Sequence, residues 1–163
     1  MQEAFAKPCV GAIIEKIIEG EKHILLQTRF KRDGGDTNGK TELPAGKIRE
    51  YENILTALRR EVLEETGLTV TKVIGEDSVS TSRVGEVETV SVEPFCVTQN
   101  LSGAYSIILL TFICEAGGEL LESTDETQNI GWVSADRVKH MIQSEPENFF
   151  FMHLNALKKY FDI

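Results

Sequence analysis

The sequence predicts an α/β protein, a mixed sheet with helices packed on both faces. Three features carry that expectation. Residues 8–18 (PCVGAIIEKII) and 22–30 (KHILLQTRF) are β-rich runs joined by Glu19-Gly20-Glu21, which reads as a hairpin. Residues 105–115, YSIILLTFICE, are apolar on both faces of a strand, as expected of a central strand covered on both sides. Apolar residues at helical spacing recur in 53–66, in 135–143 and beyond Pro146, which supplies the covering layers.

A chain of 163 residues with 41% apolar content suits one domain with a proper core, residues 1–163, and no internal repeat or linker argues for a second. No apolar run approaches a membrane span, and the start MQEAFAKPCV lacks the pattern of a signal peptide. The expectation is a cytoplasmic protein. Cys9, Cys96 and Cys114 form no CxxC pair and read as reduced, mostly buried thiols. A net charge of −9 disfavours nucleic-acid backbones and anionic lipid as partners and leaves a small-molecule substrate.

In the second strand Gln27 and Arg29 alternate with Leu26 and Thr28, so one face turns polar near its end. Arg29 reads either as a phosphate contact, through the planar fork of its guanidinium, or as a solvent-exposed strand residue. The glycine- and charge-rich segment 31–40 is a loop, whose Lys31, Arg32 and Lys40 either guide an anionic substrate or are simply solvated. Residues 41–46, TELPAG, form a short strand that breaks at Pro44 and Gly46.

The helix runs from Asn53 to Thr66, with Glu52 and Asn53 at its start and Gly67 as its stop. Its apolar stripe is Tyr51, Leu55, Leu58 and Val62. Beside the stripe, Glu61, Glu64 and Glu65 fall within one arc of about 100°, where like charges repel and the helix dipole is already negative. Ala57, one turn earlier in the same arc, leaves room above it. This strip is either a solvated acidic face or the edge of a groove that holds Mg²⁺ or Mn²⁺ for a phosphate compound, since hard cations take oxygen ligands.

The β-branched residues of 68–80 predict a strand, 81–86 a turn, and 87–99 a further strand on which Glu93 and Gln99 are candidate ligand contacts. Gly117-Gly118 turns the chain again. Residues 129–133 read as a last strand, and Ser134 as the cap of a helix over 135–143. The tail from Pro146 continues in helical spacing through Phe150, Leu154, Leu157 and Phe161 and closes the core. Phe149, Phe150 and Phe151 cannot all face one side, which leaves one of them for a homodimer contact or a place over the site. Trp132 reads as core, and His23, His140 and His153 as surface or packing residues.

Gly46, five residues, Glu52, seven residues, Arg60-Glu61-Val62, one residue, Glu64-Glu65, one residue and Gly67-Leu68 together resemble the Nudix box at every defined position. By average residue usage such a match arises at roughly one in a hundred million starting points. The resemblance implies an α/β/α sandwich and metal-dependent hydrolysis of a nucleoside diphosphate linked to another group. It implies Glu61, Glu64 and Glu65 as side-chain metal ligands, Gly46 as a carbonyl ligand, and a Glu52–Arg60 pair that orients the motif. With Arg60, these glutamates form the expected catalytic set. Similarity to the usual end of the domain adds Glu126, in competition with Glu122 and Asp125, as a further ligand or the general base. The lead-in Glu42-Leu43-Pro44-Ala45-Gly46 looks like that of enzymes acting on ADP-ribose or related sugar nucleotides. Hydrolysis of a nucleoside triphosphate or damaged nucleotide, and a non-catalytic nucleotide-sugar sensor, are the alternatives.

Overall fold

The computed structural model describes residues 3–163. Strands β1 (Lys7–Ile18) and β2 (Glu21–Arg29) form the expected antiparallel hairpin, turned by Glu19 and Gly20 at positive φ. β3 (Thr41–Glu42) and β4 (Ala45–Lys47) are short and flank Pro44. Helix α1 (Ile54–Thr66) leads into β5 (Thr69–Val73), a separate hairpin of β6 (Ser80–Val84) and β7 (Val87–Ser91), then β8 (Cys96–Gln99) and β9 (Ile107–Gly117). The chain ends with β10 (Thr127–Ser134), α2 (Ala135–Ser144) and α3 (Phe151–Phe161).

The main sheet runs β10-β2-β1-β9-β5, with β3 beside β2, β4 beside β1 and β8 beside β9. It is mixed: β1 and β9 are parallel from Lys7↔Ile107 to Glu15↔Glu115, and the other pairs are antiparallel. β9 pairs with β1, β5 and β8, as its two apolar faces lead one to expect.

The period of two along the strands divides the core into two layers. Val10, Ala12, Ile14, Leu25 and Phe112 meet Ala57, Leu58 and Val62 of α1 on one face. Ile13, Ile24, Leu26 and Leu43 meet Val138 and Ile142 of α2 and Ala156 and Leu157 of α3 on the other. The architecture is therefore the expected mixed sheet between helical layers.

Several boundaries differ from the sequence reading. The segment 81–86 is not a turn; it continues β6, and the chain reverses only at Gly85 and Glu86. Every residue of β6 is exposed, so the strand lacks the apolar face that would have marked it. The strand expected over 68–80 stops at Val73, where Gly75 at φ +87 turns the chain into a 3-10 turn, Glu76–Ser78. That over 87–99 is broken between Ser91 and Cys96, around Pro94, which has no N–H for a ladder. Glu93 falls in the break, and both it and Gln99 are exposed.

The tail is likewise not one helix. Pro146–Asn148 is a 3-10 turn, Phe149 and Phe150 are extended and buried, and α3 starts at Phe151, which is exposed. The Phe150 N–H donates to the Thr41 carbonyl and ties the tail to β3. Ser134 occupies the cap position of α2, but its side chain makes no capping hydrogen bond. Cys9 and Cys114 are buried and Cys96 half-buried, all three as free thiols.

Tyr51 is the clearest departure. It lies before α1 at φ +59 and is 99% exposed, so it contributes nothing to the apolar stripe. A left-handed backbone costs a residue with a Cβ about 1–2 kcal/mol, partly offset on change to glycine by the greater freedom of the unfolded chain. Tyr51→Gly should therefore raise the unfolding free energy by about 0.5–1 kcal/mol in urea denaturation. An unchanged or lower midpoint would show that the loop carries no strain.

Candidate functional site

The site is built on α1 and the loop before it. Asn53 caps the helix by accepting the N–H groups of Leu55 and Thr56, and Gly67 at φ +79 ends it with its N–H on the Leu63 carbonyl. Between these caps the acidic strip receives a cation from the chain itself, Arg60. Its Nε and Nη2 donate to the two oxygens of Glu52 at 2.7 and 2.8 Å. Nη1 donates to Glu61 at 2.6 Å and to Glu64 at 3.1 Å, and Nη2 also reaches the Lys47 carbonyl at 3.1 Å. Arg49 lies 3.5 Å from the other oxygen of Glu64.

These bonds fix the charges. The hydrogen bonds of Arg60, joined by the Arg49 N–H, pull the Glu52 carboxyl down to about 2, while Glu52 and Glu61 hold Arg60 above its ordinary value despite its burial. The expected Glu52–Arg60 pair is thus present. Gly46, paired in the sheet with Val10, packs against Glu61 so closely that a Cβ there would lie 2.0 Å from the carboxylate.

Glu65 turns the other way, toward the sheet, and is buried. Its Oε2 accepts from Gln27 Nε2 at 2.8 Å and from the Ala45 N–H at 2.9 Å. Among the described residues Oε1 is buried without a hydrogen-bond partner, and Lys31 Nζ stands 3.7 Å away. Burial, with the Glu42 charge adding to it and Lys31 opposing, pushes the Glu65 carboxyl up to about 7.

Lys31 joins this side of the site to the last strand, for its Nζ also meets Glu126 at 2.6 Å. Burial alone would lower the Lys31 ammonium, but its bond to Glu126 and the charge of Glu65 outweigh that and raise it. The same bond lowers Glu126. Lys31 is therefore neither freely solvated nor unengaged. Arg32 is exposed, and Lys40 donates to the Glu147 carbonyl at 2.7 Å. Glu122 and Asp125 are exposed and have no ion pair among the described residues.

Arg29 is not the solvent-exposed strand residue of one expectation, for it is buried. Its Nη1 donates to Glu42 at 3.2 Å, its Nε to Thr37 at 2.9 Å, and its guanidinium lies over the rings of Phe150 and Tyr105 at 4.3 and 5.3 Å. Burial raises the Glu42 carboxyl even so, with Arg29 opposing. Gln27 Nε2 sits 3.4 Å from Glu42, which connects this buried pair to Glu65. Trp132 is half-buried with the Lys16 ammonium 5.3 Å from its ring, and His153 is fully buried, its imidazole pushed down to about 3 by that burial.

The carboxylates thus divide into two groups. Glu52, Glu61 and Glu64 meet at Arg60; Glu65 and Glu126 meet at Lys31. Among the described residues no three His, Cys, Asp or Glu side chains converge on one cation-sized point. The single face expected from the helical wheel is split because Glu65, nearest the sheet, finds hydrogen-bond donors beneath it. Gln27 and Glu42 belong to the site, though the sequence does not mark them as site residues. Their signal in the sequence was only a polar face at the end of β2 and a glutamate just before Pro44.

The family model described as the NUDIX domain matches residues 7–152. Among solved structures, the chain is similar to the NUDIX domain of Shewanella oneidensis NrtR complexed with ADP ribose, with 15% identity, a TM-score of 0.68 and coverage of 99% of this chain and 89% of that one. A MutT protein from Methanosarcina mazei Go1 aligns with 17% identity and a TM-score of 0.60 over 99% of this chain and 97% of its own. A NUDIX hydrolase from Nitrosomonas europaea gives 19% identity and a TM-score of 0.63 over 96% and 89%. At such identities the likeness is one of fold. A curated 8-oxo-dGTP diphosphatase of Buchnera aphidicola is 53% identical over 32 residues, which span 20% of this chain and 26% of that protein.

The raised Glu65 has a consequence for stability. Between the ordinary carboxylate range and about 7 the folded protein holds a proton that the unfolded chain has lost, so this group destabilises the fold increasingly as pH rises through that window. In the presence of chelator, Glu65→Gln should gain stability relative to the unsubstituted protein from pH 5 to pH 7.5, by on the order of a few kcal/mol. Urea midpoints for both at each pH measure it. A difference that is flat with pH would contradict the raised value.

Proposed function

The chain belongs to the Nudix family; from that premise we propose that it hydrolyses pyrophosphate bonds, that its substrate is a nucleoside diphosphate linked to a second group, ADP-ribose or a related sugar nucleotide, and that it works with Mg²⁺ or Mn²⁺. The observation that carries the reaction is the arrangement of the box carboxylates. Glu61 and Glu64 flank Arg60 at the surface end of the motif, and Glu65 keeps one oxygen buried and unpartnered.

Nudix hydrolases use divalent metal, and the donor types here suit a hard cation. The donors are carboxylate oxygens, one of them without a hydrogen-bond partner, and Gly46 leaves the space that a Cβ would take from Glu61. Glu61, Glu64, Glu65 and the Gly46 carbonyl are the proposed ligands, with Glu126 at the rim. When bound, the cation supplies neutralisation of charge on the phosphoryl oxygens and a more acidic attacking water. The protein holds the carboxylates in place: Arg60 clamps Glu61 and Glu64 to Glu52, and Lys31 keeps Glu126 ionised beside Glu65. A carboxylate must accept the proton of the attacking water, and the proposed acceptor is Glu126 or one of the box glutamates.

Support for a sugar nucleotide comes from the lead-in Glu42-Leu43-Pro44-Ala45-Gly46 and from the ADP ribose in the similar Shewanella domain. The short stretch shared with the 8-oxo-dGTP diphosphatase favours the second reading, a nucleoside triphosphate or damaged nucleotide. Hydrolysis of a panel of both compound classes, with Mg²⁺ or Mn²⁺ and with chelator, separates them. Chelator-sensitive release of AMP and ribose 5-phosphate from ADP-ribose is the expected result, whereas pyrophosphate from a triphosphate would select the second reading. Glu64→Gln should keep the fold and lower kcat by about a hundredfold or more. Unchanged turnover in that variant would remove Glu64 from the site, and tight binding of a sugar nucleotide without any turnover would make the domain a sensor.

A further inference from the structure

We propose that Gln27 is a positioning residue, which holds the Glu65 carboxylate so that Oε2 is saturated and Oε1 alone is presented to the site. This rests on the reading that Glu65 works in pyrophosphate hydrolysis.

Gln27 is fully buried on β2, beneath α1. Its Nε2 stands between two buried carboxylates, 2.8 Å from Glu65 Oε2 and 3.4 Å from Glu42 Oε1. An amide NH₂ has two hydrogens to give, and no other uncharged side chain of this length offers both from one atom. The reverse orientation of the amide would set Gln27 Oε1 against two negative groups. In the orientation that donates to both, Gln27 Oε1 is left buried and without a hydrogen-bond partner among the described residues.

Neutrality matters here. A lysine or arginine at this position would neutralise Glu65 and compete for it, whereas an amide fixes its direction and leaves its charge for a ligand. Without Gln27, the Ala45 N–H would be the one remaining hydrogen bond to Oε2, and a carboxylate on one bond can swing toward Lys31 Nζ, 3.7 Å from Oε1.

Gln27 is itself held from behind. Glu42 Oε2 accepts from Arg29 Nη1 at 3.2 Å, and Arg29 Nε donates to Thr37 Oγ1 at 2.9 Å. Thr37 Oγ1 in turn donates to the Gly34 carbonyl at 2.6 Å. The guanidinium, pressed over Phe150, cannot follow a displaced Glu42. A chain of side chains therefore runs from the glycine-rich loop 34–38 through Arg29, Glu42 and Gln27 to Glu65.

The test is a double-mutant cycle. Gln27→Met keeps length and packing but removes the donor; Gln27→Asn keeps the amide and withdraws it by one methylene, and serves if the methionine variant does not fold. Either should lower kcat by about ten- to a hundredfold with KM within about twofold, and weaken Mn²⁺ binding, followed by calorimetry on the protein alone, by about tenfold. In a Glu65→Gln background the same substitution should cause no further loss, because the group being positioned has gone. Full loss of kcat in that background, or Mn²⁺ affinity equal to the unsubstituted protein, would overturn the proposal. If the unsubstituted protein turns over nothing in the panel, the functional reading fails, and the Mn²⁺ titration still decides whether Gln27 positions Glu65.

Discussion

The ion cluster around Arg60 is the interaction on which the rest of the site depends. Three glutamates in the last two turns of a helix are opposed by one another and by the helix dipole. Arg60 removes much of that opposition by binding Glu52 with two donors and sharing Nη1 between Glu61 and Glu64. Because Glu52 precedes the helix and Lys47 belongs to β4, the same guanidinium also fixes the loop to the helix. A planar fork with five N–H donors can serve these partners at once, which an ammonium on a flexible stem cannot match.

Lys31 plays the corresponding part on the other side, between the buried Glu65 and the exposed Glu126. Glu64 is half exposed, so its ion pair is screened and contributes little to stability. Glu65 is almost wholly buried, and there the direction of each hydrogen bond matters more than the sum of charges. One helix thus presents a wet carboxylate and a dry one a single residue apart, as the 100° turn per residue requires.

What the sequence made legible follows the same division. The helix limits and its caps were readable, since each rests on spacing within one short stretch, and the Glu52–Arg60 pair followed from the resemblance of that stretch to the Nudix box. So was the sheet between helical layers, through the β-rich runs of β1 and β2 and the doubly apolar β9. Hidden were the features that depend on pairing between distant residues. Arg29 is buried only because Phe150, from the far end of the chain, lies across it, and Gln27 faces Glu65 only because α1 packs on that face of β2. β6 escaped notice because an arm that stands off the core needs no apolar face. Tyr51 was placed on the stripe by its spacing alone, although the helix begins after it.

The dry half of the site also explains where binding energy can be found. A buried polar atom left without a partner costs about 1–3 kcal/mol, and more when it carries charge. Glu65 Oε1 carries that cost in the folded protein, and the raised carboxyl is its signature. Glu64, half exposed and paired with Arg60 and Arg49, carries no such cost. A cation that reaches Oε1 recovers the cost, but only if the carboxylate is held where the ligand arrives. Gln27 and the Ala45 N–H, both donating to Oε2, fix that direction from beneath.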